Sequence, residues 1–192
     1  MTEIKSTMEI VLERASRMAA SAADNSMRDT LLERGMRLAA EFIDSGQTDL
    51  NETLAGQRQE ERLQIREGML QILLRNILLP RDEDLQQTGQ TAIRGLLVLG
   101  EGREKVLAIG QELSQILGQY QQHKEQTIEQ LQQVFASRLQ QQPADQGKAG
   151  QETLDFLRHP KYREELGRLL TDLNSQYNEA LEQRKEALRL CF

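Results

Sequence analysis

The stretch REKVLAIGQELSQILGQYQQHKEQTIEQLQQVFASRLQQQ (residues 103–142) decides the fold, because its pattern predicts one unbroken helix. It contains no proline, and its apolar residues recur at helical spacing. About forty residues at about 1.5 Å each give a rod of roughly 60 Å, which is too long for one small globular core to cover. The rest of the chain must therefore supply helices that pack along this rod.

The composition of the chain favours an all-α protein with a partly solvated surface. Among 192 residues, 38% are hydrophobic, 4% are aromatic and none is tryptophan. The formal charge of −6 argues against a nucleic-acid or anionic-membrane partner, since both bind basic surfaces. The N-terminus lacks a secretion-signal pattern and no apolar run is long enough to span a bilayer. We therefore predict a cytoplasmic protein without membrane insertion.

Two amphipathic helices are predicted at the start of the chain. The first covers residues 3–22 and the second covers about 27–44, with a break and a new helix cap at 24–26. Gly46 follows the second helix, where a left-handed C-terminal residue is favoured. The short link predicts a helical hairpin as an N-terminal region of residues 1–46.

A helical core is predicted for residues 47–117. Its third helix begins near residue 50, where Asp49 is spaced as a cap, and frays around Gly56. The third helix then becomes densely apolar and extends to Leu79. Pro80 ends it, because proline cannot continue a helix without losing a backbone hydrogen bond.

The fourth helix is predicted to begin at Pro80 and to run to about residue 99. Its acidic residues 82–84 suit the positive end of a helix dipole. The apolar run 93–99 is also compatible with a strand, but no pairing strand is evident, which favours the helix. Glycines at 100 and 102 end this helix before the long one begins.

Residues 118–192 are predicted to form a long antiparallel, coiled-coil-like hairpin that projects from a body of about four helices. The first arm, 118–142, is rich in Gln, which supplies ten of the 24 residues from 119 to 142. A turn and a short helix at 151–158 lead to the second arm, 161–190. Alternating steps of four and three residues, which are typical of a two-helix seam, connect Leu113, Leu117, Tyr120, Lys124, Thr127, Leu131, Val134 and Arg138 of the long helix. The polar residues Lys124, Thr127 and Arg138 weaken this pattern.

Cysteine and histidine residues are too few to predict a catalytic or metal site. The single cysteine, Cys191, excludes an internal disulfide and a zinc site of several thiolates. His123 is predicted to be a solvated helix residue and His159 a loop residue, and no Glu-x-x-His pair is present for a di-iron site. The place of Cys191 next to the last residue favours a lightly packed thiol over a nucleophile. We predict no enzyme activity, no cofactor and no metal.

Three local patterns have a purely structural as well as a functional interpretation. Gly100 and Gly102 precede two basic residues, as in a phosphate loop, but a helix–helix turn is favoured because Gly-Lys-Ser/Thr is absent. Glycines at 102, 110 and 118 either allow close approach of a partner helix or recur by chance. The basic residues Arg158, Lys161, Arg163 and Arg168, with the aromatic residues Phe156 and Tyr162 among them, form either a nucleic-acid patch or a salt-bridged helix surface. Acidic residues in the same stretch favour the salt-bridged surface.

The segments IKSTMEIVLERASRM (4–18), LLERGMRLAAEFI (31–43) and NEALEQRKEAL (178–188) resemble a group of small uncharacterised all-helical bacterial proteins. The resemblance covers most of the chain and rests on amphipathic helix patterns. It implies an all-helical cytoplasmic protein. Because that group has no assigned activity, the resemblance implies no catalytic or binding residues.

The exposed arm of the long helix is where we place the function. One sparse partner helix would cover its apolar stripe incompletely. We therefore hypothesise a non-enzymatic interaction or scaffold protein that binds a protein partner or a second copy of itself. The candidate partner-binding residues are Leu131, Val134, Phe135 and Leu139.

The alternative hypothesis is a holding chaperone or an export adaptor. Its apolar groove would lie between the N-terminal hairpin and the core of residues 63–99, with methionines as adaptable contacts. The same methionines can instead fill the protein's own core. They are Met8, Met18, Met27, Met36 and Met69.

Overall fold

A computed structural model describes residues 7–46, 49–141 and 159–192, with side chains for Met18 and for 25–46, 49–137 and 159–192. In these ranges the chain forms six helices and no strand, so the all-α prediction is confirmed. The helices are α1 (Thr7–Ser45), α2 (Leu50–Ala55), α3 (Arg62–Arg75), α4 (Glu83–Leu99), α5 (Glu104–Gln141) and α6 (Pro160–Arg189). The run 93–99 belongs to α4, which excludes the strand alternative. The turn and short helix predicted before residue 159 lie outside the described residues.

The chain divides into two compact units, one that ends at Arg75 and one that begins at Asn76. The first unit holds α1, α2 and α3, and the second holds α4, α5 and α6. The predicted helical core of residues 47–117 spans this boundary. The reason is that α3 packs with α1, whereas α4 packs with α5.

In the first unit, α1 and α3 run antiparallel and are joined by ion pairs at their edges. Arg28 lies 3.2 Å from Glu67, and Arg34, further along α1, lies 4.0 Å from Glu61, earlier on α3. The apolar core of this unit comes from all three helices. Its fully covered side chains include Ala39 on α1, Leu50 on α2, and Ile65, Met69 and Leu73 on α3.

Two glycines bring the backbones of α1 and α3 into close approach. A Cβ atom on Gly35 would overlap the carbonyl oxygen of Ile65 and lie 2.8 Å from its carbonyl carbon. A Cβ atom on Gly68 would overlap the carbonyl oxygen of Leu32 and lie 2.9 Å from its carbon. Each helix therefore presents a glycine to the backbone of the other. The sequence pattern did not predict this pairing of glycines.

α1 is one continuous helix, so the break predicted at residues 24–26 is wrong. Thr30 Oγ1 donates to the Ser26 carbonyl oxygen at 2.9 Å, a bond typical of a helix interior rather than of a cap. Short polar residues disfavour a helix but do not block it, and neither proline nor glycine occurs there. Gly46 ends α1 with φ 65°, as predicted.

The third predicted helix is divided into α2 and α3. Asp49 caps α2, since its side chain accepts from the backbone N–H groups of Asn51 (2.9 Å) and Glu52 (3.1 Å). Gly56 is the C-cap of α2 rather than a frayed position within one helix. α3 begins at Arg62.

The chain between α3 and α4 is not helical, so the predicted end at Leu79 and start at Pro80 are wrong. α3 already ends at Arg75, because Pro80 lacks the N–H that would bond to the carbonyl of residue 76 and excludes helical geometry just before it. Asp82 caps α4 instead, and its side chain accepts from the backbone N–H of Leu85 at 2.9 Å.

Candidate interaction site on α5 and α6

α5 and α6 pack side by side in antiparallel directions in the second unit. Residues that advance along α5 contact residues that recede along α6. The contacts are an ion pair, a hydrogen bond and an edge-to-face ring contact: Glu112–Arg184 (2.9 Å), Tyr120–Asn174 (2.8 Å) and Phe135–Tyr162 (5.3 Å between ring centroids). α5 spans about 57 Å and α6 about 45 Å at about 1.5 Å per residue.

α4 packs over the first half of α5 only. A Cβ atom on Gly110 would lie 2.6 Å from the side chain of Leu97, so α4 approaches α5 closely at that point. The end of this contact is marked by Lys124, whose Nζ donates to the Arg81 carbonyl oxygen just before α4 (3.4 Å). Gly118 has open space where a side chain would be, and Gly102 lies between α4 and α5. Only one glycine of the eight-residue repeat therefore meets a neighbouring helix.

Beyond Lys124, α5 and α6 continue past the start of α4. We call residues 125–137 of α5 and 160–173 of α6 the two-helix section. Its apolar residues are mostly half-buried, in contrast to the fully covered leucines further down α5 and α6. The half-buried set is Ile128, Phe135, Leu166, Leu169, Leu170 and Leu173.

The four predicted partner-binding residues have different environments. Leu131 is 7% exposed, and Phe135 is half-buried with its ring edge-to-face against Tyr162. Val134 is 46% exposed. Leu139 lies in α5, but its side chain is outside the described residues. Of the predicted stripe, Val134 is the described residue that is open to a partner.

A group of polar and aromatic side chains joins α5 to α6 where the contact with α4 ends. Tyr120 is 4% exposed and its hydroxyl donates to Asn174 Oδ1. The Tyr177 hydroxyl lies 2.6 Å from His123 Nδ1, and this contact crosses the Tyr120–Asn174 contact. The rings of Tyr120 and Tyr177 meet edge to face at 5.5 Å. His123 is exposed, as predicted, but it has a partner on α6 that the sequence did not reveal.

Burial shifts the titration of both tyrosines in this group. Loss of solvation raises the pKa of Tyr120 above its usual value, and the positive charge of Arg81 opposes the shift. Loss of solvation also raises the pKa of Tyr177. Both phenols, which are neutral at physiological pH even at their ordinary pKa, therefore stay protonated further into the alkaline range and keep their hydrogen bonds there.

The remaining candidate residues have structural partners. His159 is the N-cap of α6, and its Nδ1 accepts from the Lys161 backbone N–H at 3.3 Å. The thiol of Cys191 is half-buried and lies 3.4 Å from the Ala187 carbonyl oxygen. Tyr162 is buried against α5, so it does not belong to an exposed basic–aromatic surface.

The architecture defines the class as an all-α protein of two units, whose second unit carries a partly covered two-helix section. In the described ranges, no cluster of three or more His, Cys, Asp or Glu residues is placed to hold a metal ion. None of the helices in those ranges has the length and apolarity needed to cross a bilayer.

The chain belongs to a family of unknown function, DUF6657, whose family model matches residues 51–190. The matched range contains α3 to α6 and therefore the two-helix section, whereas α1 precedes it. No curated protein and no solved structure matches the chain.

Proposed function

We propose that this protein is a non-enzymatic interaction protein of the cytoplasm that self-associates by packing the two-helix sections of two copies together. The observation that carries the proposal is the row of half-buried leucines on α6, at residues 166, 169, 170 and 173. Two helices alone leave such residues partly in water, whereas four helices enclose a core. The exposed Val134 adds apolar surface in the same section.

The test is the mass of the purified chain by size-exclusion chromatography with light scattering over a range of concentrations. The wild type is expected to exceed 22.0 kDa as the concentration rises. The variant Leu166→Glu/Leu170→Glu is expected to stay at the mass of one chain, because charged groups would have to be buried in the interface. Leu63→Glu is the matched control, since Leu63 is 72% exposed and lies in the other unit.

Two outcomes separate the parts of this proposal. The wild type could stay monomeric and crosslink through residues 166 and 170 to another protein in host extract. In that case the partner of the two-helix section is that protein and not a second copy of the chain. A monomer whose crosslinks are unchanged by the glutamate substitutions would refute an interaction role for the two-helix section.

The second candidate function is a holding chaperone or export adaptor, and the exposed methionines of α1 favour it. Met18 is 68% exposed and Met27 is 67% exposed, and flexible thioether side chains suit varied apolar clients. Met69, in contrast, is fully covered in the core of the first unit, and Met36 is half-buried. Met18 and Met27 are nine residues apart on the continuous α1, about two and a half turns, and so lie on opposite sides of the helix. The groove of this hypothesis therefore reduces to separate exposed methionines on α1.

The chaperone hypothesis is tested by light scattering of an aggregating test protein. Suppression of aggregation that is lost in Met18→Lys/Met27→Lys supports this role. Equal behaviour of the variant and the wild type, or no suppression by either, removes it.

A further inference from the structure

The contact between α5 and α6 contains four side chains arranged as two rungs, which we call the polar ladder: Tyr120, His123, Asn174 and Tyr177. The first rung joins residues 120 and 174, and the second joins residues 123 and 177. Because the helices are antiparallel, a step of three along both helices goes in opposite directions, so the two rungs cross at the same level of the helix pair. The edge-to-face contact of Tyr120 and Tyr177 connects the rungs. The ladder lies between the fully covered base of the helix pair and the half-buried two-helix section.

The apolar seam beyond the ladder defines only in part how α6 is aligned along α5. Its leucines recur four residues apart, as Leu166 with Leu170 and Leu169 with Leu173. Four residues are about one helical turn. A displacement of α6 by one turn therefore replaces leucine by leucine at two of these four positions, and brings either Asn174 and Tyr177 or Tyr162 and Glu165 to the other two.

We propose that the polar ladder sets the register of α6 on α5. A polar residue in an apolar helix seam can specify register, because every misaligned pairing leaves its polar group without a partner. The Tyr120 hydroxyl is well placed for this role, since it is almost fully covered and reaches Asn174 only in the observed alignment.

Both rungs are needed to exclude the two possible one-turn displacements. In one direction Tyr120 would face Leu170, and its buried hydroxyl would lose its acceptor. In the other direction Tyr120 would face Asn178, which can also accept a hydrogen bond. The second rung disfavours this alternative, because the half-buried Tyr177 would lose His123, which would then face Leu181.

The experiment measures the alignment of α6 along α5 in the full chain by pulsed electron–electron double resonance. Spin labels are placed on cysteines at the exposed positions Gln133 on α5 and Gln183 on α6, in a Cys191→Ser background. These positions lie about 30 Å apart along the helix axis, and a one-turn displacement changes this separation by about 5 Å. Labelled protein is diluted with an excess of unlabelled protein, so that only distances within one chain contribute.

The variant that removes the ladder keeps side chains of similar volume: Tyr120→Phe, His123→Leu, Asn174→Leu and Tyr177→Phe. It is expected to convert one narrow distance distribution into a broad or double one, displaced by about 5 Å. The matched control, Glu112→Gln/Arg184→Gln, removes an ion pair between the same helices that is half in solvent and so contributes little to alignment. The control is expected to keep the narrow distribution.

A ladder variant that is helical and keeps the wild-type distance and width overturns the proposal. If the fourfold variant is not helical by circular dichroism, the two rungs are replaced separately and the same distance is measured. The proposal is also overturned if the variant without the first rung and the variant without the second rung both keep the single wild-type distance. The control variant could also lose its narrow distance distribution. This result would show that any polar contact between α5 and α6 sets the register, and it would overturn the special role of the ladder.

Discussion

Gly35 and Gly68 are the residues whose replacement the first unit can least accommodate. Their Cβ positions are occupied by rigid backbone atoms of the facing helix, so an alanine cannot be accepted by a side-chain rotation. The two helices would have to separate along their contact, which loses the packing of Ile65 and Met69.

Gly35→Ala is therefore expected to lower the free energy of unfolding by more than about 2 kcal/mol, although alanine favours a helix by about 1 kcal/mol. The measurement is urea unfolding followed by circular dichroism. Gly56→Ala serves as the control in the same unit, because its Cβ atom would make only ordinary contacts at 3.6 Å and its φ is −70°. Equal stability of Gly35→Ala and the wild type would contradict the close approach of α1 and α3.

Tyr120 and Tyr177 make the stability of the second unit depend on pH in the alkaline range. Burial raises the pKa of each phenol in the folded state above the unfolded value of about 10. Their contribution to stability is complete below about pH 10 and is lost as the pH rises through 10 towards the raised pKa values, because the unfolded chain releases these protons first.

The urea midpoint of the wild type is expected to fall more steeply between pH 9 and pH 11 than that of Tyr120→Phe/Tyr177→Phe. The measurement compares the two slopes rather than the absolute stabilities, since the variant also loses two hydrogen bonds. Parallel slopes would show that these phenols do not titrate differently in the folded and unfolded chain.

At the scale of single elements, α4 depends on its N-cap rather than on Pro80. Asp82→Ala removes the acceptor for the Leu85 N–H and is expected to cost about 1 kcal/mol. Asp82→Asn, which retains an acceptor at the same place, is expected to cost much less. Thermal unfolding of both variants provides the comparison, and an equal loss in both would point to charge rather than capping.

Elements with strong sequence signals were predicted well. α5 was predicted as 103–142 and extends over Glu104–Gln141, because glycines at 100 and 102 bound it on one side and no breaker interrupts it. The errors arose where the signal was weaker. Three polar residues did not stop α1, and the influence of Pro80 reached back to the end of α3.

The individual side-chain partners between elements could not be predicted from the sequence alone. The crossing of Gly35 and Gly68 becomes visible only when α1 and α3 are known to be partners. Tyr120 was placed on the seam of the long helix from its spacing, but its acceptor lies 54 positions further along the chain. Helical periodicity gives the side of a helix that is covered and does not give the residue that covers it.

At the scale of the whole molecule, the chain combines two compact units with one partly covered feature. The first unit encloses its core through the α1–α3 crossing, and the base of the second unit encloses its core through α4. The two-helix section differs from both, because its leucines on α6 remain half-buried. A second copy would bury them, and this is the central claim about the protein.

Hydrogen exchange of the full chain at several protein concentrations tests this claim most directly. Peptides from residues 125–137 and 160–173 are expected to exchange more slowly as the concentration rises, while peptides from α3 keep the same rates. Exchange in the two-helix section that is independent of concentration, over the range where light scattering is measured, would contradict self-association through this surface.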